Sequence, residues 1–138
     1  MRARLIAASL LAMGARVALA AESHLVALIP ALVKGGADVN ARGRDGTALG
    51  AAAEKGKTEV VRALLDASAD PNLGDRNNQT PLMKAAQRDR VDVIVLLLAR
   101  CARTDPVDSF FKWNALKFAK SDAAKSAIQA GPGANCPK

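Results

Sequence analysis

Tyrosine is absent from this chain, and its 3% aromatic content comes from three phenylalanines and one tryptophan. A sandwich or barrel draws on aromatic and β-branched residues, so this composition argues against both and suits thin helices packed through Ala, Leu and Val. Histidine occurs once, at His24, with no nearby Cys or Ser constellation in sequence. That excludes the usual general-base and nucleophile arrangements, and two cysteines without clustered histidines make no zinc site. No apolar run reaches the roughly eighteen residues needed to span a bilayer. The formal net charge of +7 is carried on charges of both signs, interspersed. With no aromatic stripe, finger spacing or basic helix, it does not point to nucleic acid. Neither a cofactor nor a metal is expected. What is present is apolar residues at 50% over 138 positions, one domain's length.

Those residues repeat. Thirty-three residues separate Thr47 from Thr80, and the residue types after Thr47 recur in order after Thr80. Leu49 corresponds to Leu82, Ala52 and Ala53 to Ala85 and Ala86, Val60 and Val61 to Val93 and Ile94. Leu64 and Leu65 likewise correspond to Leu97 and Leu98, and Ala69 to Ala102. A fixed period of this length implies stacked supersecondary units, not one closed core. The motif T-P-L-x-x-A-A at 80–86, its copy T-A-L-x-x-A-A at 47–53, and the endings G-A-D-V-N at 36–40 and S-A-D-P-N at 68–72 resemble the ankyrin repeat. The resemblance covers about residues 25 to 130. It implies an all-α helix-turn-helix solenoid with hairpin tips, two full repeats and degenerate end units, and a protein-binding module with no reaction of its own.

Within each repeat the helices can be placed. Thr80 reads as an N-cap with Pro81 in the first helical position, where its missing N–H is no loss. Leu82, Ala85 and Ala86 form an inward stripe, Asp89 ends the helix, and Val91–Ala99 forms the next with Val93, Ile94, Leu97 and Leu98 inward. The preceding unit has helices over 48–55 and 58–67, broken at Gly56. Upstream, 24–34 aligns with a second helix but contains Pro30, which predicts a late start or a kink. Gly35 and Gly36 read as a helix C-cap, not a phosphate loop. Units are expected at 21–41, 42–74, 75–107 and 108–130, with a flexible tail over 131–138.

The first twenty residues read as a signal peptide, with Arg2 and Arg4 before an apolar run over 5–15 and Ala18-Leu19-Ala20 at the cut. Arg16 is unfavourable there, and 17–22 also aligns with the first helix of a repeat, so an uncleaved helix is the alternative. Cleavage between Ala20 and Ala21 takes three arginines from the formal charge of +7, leaving +4. It would place the protein in a bacterial periplasm or outside the cell; otherwise it is cytoplasmic. No Cys directly after the cut argues against a lipoprotein. In an exported chain Cys101 and Cys136 invite a disulfide. The repeat register alone would leave them about 8–10 Å apart, too far for a bond. Gly131-Pro132-Gly133 could bend the tail to close that gap, and the alternative is two free thiols.

Candidate contact residues are implied by the family's geometry. Hairpin tips and outward first-helix positions place Arg44, Asp45, Glu54, Lys55, Arg76, Asn77, Gln79, Gln87 and Arg88 on one face. Phe110, Phe111, Trp113 and Phe118 are every aromatic in the chain, within nine residues. Phe118 is expected in the core. The other three are either contact anchors on a lengthened hairpin or a lid over the last unit. The spacing from Leu82 to Leu116 is 34, one more than the period, and the run from Asn40 to Thr47 is one shorter than that from Asn72 to Thr80. Asn78-Gln79-Thr80 is formally a glycosylation sequon, but Thr80 is explained as a cap and Asn78 as a turn residue tolerating positive φ. His24 aligns with Gly56, a turn position. The expected partner is another protein, bound by a monomer through the tips and concave face. The candidate roles are an envelope adaptor, an inhibitor or immunity protein against a toxin or hydrolase, or, if uncleaved, an intracellular regulator.

Overall fold

The computed structural model describes residues 22–137, with side chains from Val26 onward. The proposed signal peptide lies outside the described residues, as does most of the alternative helix over 17–22. The described elements are α1 (Glu22–Lys34), β1 (Arg42–Gly43), β2 (Gly46–Thr47), α2 (Ala48–Lys55), α3 (Thr58–Asp66), α4 (Pro81–Gln87), α5 (Val91–Ala99), α6 (Ala115–Phe118) and α7 (Asp122–Ala130).

Side-chain caps start the first helices. Thr47 and Thr80 hydroxyls accept from Gly50 N–H at 3.1 Å and Met83 N–H at 3.4 Å, and the Asn114 amide oxygen accepts from Lys117 N–H at 3.1 Å. Each satisfies one of the free donors at a helix start. The second helices α3 and α5 have no such cap. Their entry is set by the backbone: Lys57 N–H donates to Ala52 and, one period on, Arg90 N–H donates to Ala85. Their exits repeat as well, since Ala37, Ala69 and Ala102 N–H groups reach back to Leu32, Leu64 and Leu97. The residue before each, Gly36, Ser68 and Cys101, has positive φ, the left-handed cap expected for Gly36.

Helix α1 does not start late: its described residues run from Glu22 to Lys34 through Pro30, which is exposed. His24 therefore stands in the first turns of a helix, not in a turn between helices. The other end unit is compressed: α6 stops after Phe118 because Ala119 takes extended backbone at φ −65° and ψ 130°.

The helices form two layers. First helices α2, α4 and α6 pack in sequence, and second helices α1, α3, α5 and α7 pack beside them. Between the layers lie Leu49, Leu64, Leu82, Ile94 and Leu97, each nearly or wholly buried. Ala52, Ala53, Ala85 and Ala86 are buried at the first-helix seams, where a small side chain lets neighbouring units approach. Because α4 is covered on both sides, its burial extends beyond the inward stripe to Met83 and Lys84. Units are also joined at the A-D-x-N endings. The Asn40 amide oxygen accepts from Asp70 N–H at 2.7 Å, and that of Asn72 from Arg103 N–H at 2.7 Å.

Candidate partner-binding face

The first hairpin tip is built differently from the second and third. The shortest is the only one with strand pairing among the described residues: Arg42 opposes Thr47 and Gly43 opposes Gly46, leaving Arg44 and Asp45 at the turn. Gly46 has φ 99°, and a Cβ there would fall 2.9 Å from the Asp75 Cβ of the next tip. Glycine is therefore needed both for its backbone and for the close approach.

The second tip is organised by Asp75. Its carboxylate accepts from Asn77 N–H at 2.8 Å and Gln79 N–H at 3.0 Å, while its own N–H donates to the Gln79 carbonyl at 3.1 Å. Asn78 takes φ 57°, as its place in the turn predicts, and its side-chain amide donates to the Val107 carbonyl at 2.7 Å. The third tip repeats the plan one period later around Asp108, which is wholly buried. One carboxylate oxygen accepts from Phe110 and Phe111 N–H at 3.1 Å each, and the other from Trp113 N–H at 2.8 Å. Desolvation pushes the Asp108 carboxyl up, but the amides of Trp113, Phe111 and Phe110, with Lys112 nearby, outweigh it and hold it below the usual carboxylate range. The run from Asp108 to Asn114 is one residue longer than that from Asp75 to Thr80, and it carries Phe110, Phe111 and Trp113. Ser109 N–H donates to the Asn77 carbonyl at 2.8 Å, so the second and third tips are tied together.

Lys84 ties the first tip to the second. From the buried side of α4 its ammonium reaches the Asp75 carboxylate at 3.1 Å and the Asp45 carbonyl at 2.9 Å. Its stem passes over Gly50 of α2. Sequence reasoning does not single out Lys84, Asp75 or Asp108. The two aspartates stand one period apart and could be found that way; nothing in the repeat pattern marks Lys84.

The candidate residues divide by what holds them. Arg44, Asp45, Lys55, Arg76 and Asn77 are exposed, and Gln79 and Gln87 are half-buried. Glu54 and Arg88 are engaged with each other at 3.0 Å, a pairing between successive units that sequence does not anticipate. Phe110 is 71% exposed, Phe111 66% and Trp113 43%. Phe118 is half-buried at the edge of the core, not within it. Phe111 and Trp113 rings stand 5.2 Å apart, and Trp113 meets Phe118 at 5.5 Å. Trp113 thus partly covers the last unit while Phe110 and Phe111 stay in water. A groove of about 440 Å3 beside these rings is lined by Gln87, Arg88, Trp113, Lys117, Phe118, Ala119 and Lys120. Another, of about 490 Å3, lies between α1 and α3 and holds none of the candidate residues.

Cys101 and Cys136 are joined by a disulfide, with 5.3 Å between their Cα atoms. The bend past Gly131 closes the distance that register alone would leave, and Gly133 N–H donates to the Leu98 carbonyl at 3.1 Å. The tail expected to be flexible is thus attached to the end of α5 at two points. No helix among the described residues is long and apolar enough to cross a membrane.

Residues 17–110 match the family described as Ankyrin repeats (3 copies). The chain is 42% identical over 82 residues to the mitochondrial disaggregase of Bos taurus, covering 59% of this chain and 12% of that protein. It is 41% identical over 63 residues to a probable E3 ubiquitin-protein ligase, XBOS31, of Oryza sativa subsp. japonica, covering 46% and 14%. It is 36% identical over 76 residues to the B-cell lymphoma 3 protein homolog of Mus musculus, covering 54% and 17%. The chain spans well under a fifth of these relatives' lengths, so the likeness concerns a segment of each. The T-P-L cap at Thr80 with its T-A-L copy at Thr47, the 33-residue hydrogen-bond pattern and the two-layer stack have the same source: the chain belongs to the ankyrin repeat family, whose repeats are protein–protein interaction modules.

Proposed function

We propose that this protein is a non-catalytic adaptor that binds another protein through its hairpin tips and first-helix face, in a bacterial periplasm or outside the cell. The observation that carries the binding face is the third tip. Phe110 and Phe111 remain 71% and 66% exposed while buried Asp108 fixes the backbone beneath them. Large rings held in water on a preorganised loop lose little further freedom on association, which is how interface anchors contribute most. Export rests on the sequence over 1–20 and is supported by the bonded cysteines, which belong in an oxidising compartment.

The clustering of the rings favours a second reading, an inhibitor or immunity protein that blocks a toxin or hydrolase. A stoichiometric block concentrates its energy in a dominant anchor. An uncleaved N-terminus would instead favour an intracellular regulator.

The intact mass of the protein made in a bacterial host tests location. A chain starting at Ala21, with no alkylatable thiol before reduction, is expected; a full-length mass with two free thiols refutes export. For binding, a partner found by cross-linking in cells is purified and titrated. Loss of binding in Phe111→Ala or Trp113→Ala alone supports the blocking protein. Graded losses across Arg44, Arg76 and Asn77 support the adaptor. Full affinity in all of these variants would refute the face.

A further inference from the structure

The groove beside Trp113 has an aromatic wall and a basic rim. Trp113 and Phe118 form the wall, and Phe111 extends it at 5.2 Å from Trp113. Arg88, Lys117 and Lys120 supply the rim, and no Asp or Glu lines it. Arg88 is already paired with Glu54, but the ammonium groups of Lys117 and Lys120 have no carboxylate partner among the described residues. The nearest acids in sequence line no part of it and have contacts of their own. Asp89 accepts from the Ser121 hydroxyl and lines a different hollow with Arg90, and Asp122 lies 4.0 Å from Lys125. A lining with cations and no carboxylate, beside half-exposed rings, is complementary to a ligand carrying negative charge around an apolar group.

Building on the protein-binding reading above, we infer that this groove receives a short acidic segment of the partner protein. One large apolar side chain rests against Trp113, and flanking carboxylates meet Lys117 and Lys120. A single-stranded nucleic acid would also bring negative charge. Yet these rings pack on one another, at 5.2 and 5.5 Å, and do not stand apart as platforms for successive bases. Three cations around one hollow also do not make a track for a phosphate backbone.

Trp113 is the chain's one tryptophan, so its fluorescence reports on the groove directly. The disulfide-bonded protein is titrated with three probes: an acetylated pentapeptide of Asp and Glu around a central Leu, its lysine counterpart, and an oligothymidylate. A saturable blue shift with the acidic peptide alone is expected. Lys117→Glu with Lys120→Glu should weaken it roughly tenfold, as two exposed attractions become repulsions, and added salt should weaken it further. Arg62→Glu with Lys125→Glu, on α3 and α7, makes the same change in net charge and should leave it intact. No shift at millimolar peptide, an equal response to the lysine peptide, or a stronger response to the oligothymidylate would overturn the inference. So would indifference to the Lys117 and Lys120 reversal. If that reversed variant still binds the purified partner at full affinity, only this inference fails. A wild-type protein for which no partner survives purification and titration refutes the binding reading itself.

Discussion

Replacing Lys84 by methionine keeps the stem that crosses Gly50 and removes only the charge, so it isolates the link between the first two tips. In the folded protein the Lys84 and Asp75 side chains are 8% and 11% exposed and 3.1 Å apart. Removing one partner leaves the Asp75 carboxylate largely dehydrated without its cation and the Asp45 carbonyl without its donor. Breaking a buried pair in this way costs about 3–5 kcal/mol. Two backbone N–H groups still serve the Asp75 carboxylate, which places Lys84→Met near the lower end, at about 3 kcal/mol. Against a typical total of about 5–15 kcal/mol, that is a large fraction. It should appear in urea unfolding as a lower midpoint with an unchanged slope. In a melt it should lower Tm by about 10–15 °C. Asp75→Asn on top of Lys84→Met removes the orphaned charge and should recover part of the loss. A Lys84→Met protein within about 0.5 kcal/mol of wild type would show that the pair does not hold the tips.

Reduction, or Cys136→Ser, should lower stability by about 3–4 kcal/mol in the chain-entropy account of a bridge between residues 35 apart in sequence, read from urea midpoints with and without reductant. Because the folded Asp108 carboxyl lies below its ordinary value, its contribution is present above the unfolded pKa of about 3.9 and is lost as pH falls through the folded value. Trp113 fluorescence followed into acid should therefore report opening of the third tip. Asp108→Asn should show that opening already at neutral pH, and a flat profile in both proteins would refute the role of Asp108. Gly46→Ala should cost about 1–3 kcal/mol, since its Cβ would meet Asp75. Gly131→Ala is also strained by its positive φ but meets nothing within 4 Å, so it should cost less, and the two urea midpoints decide the order.

The stack was legible because it is written locally and repeated. Ala48–Lys55 and Val91–Ala99 have the bounds that caps and periodicity predict. Leu49, Leu82, Val93 and Leu97 are buried where the stripe places them. The units at either end of the described stack were less legible, because they keep less of the T-P-L-x-x-A-A pattern. There α1 runs through Pro30, and α6 ends after a single turn. On the candidate face, sequence identified the exposed tips and the rings. It did not reveal that Glu54 and Arg88 are occupied with each other.

Sequence alone determined the period, the helix starts after Thr47 and Thr80, and the paired alanines of the first helices. Each depends on residues within a few positions of one another, and a 33-residue recurrence makes the pattern unambiguous. Only the tertiary structure decided which charges are free. Lys84 meets Asp45, 39 residues away, Glu54 meets Arg88 across 34, and the tail returns to Cys101 across 35. Such partners are chosen by how far one unit turns and shifts on the next. That offset arises from the packing of whole helices and is not encoded in any single segment.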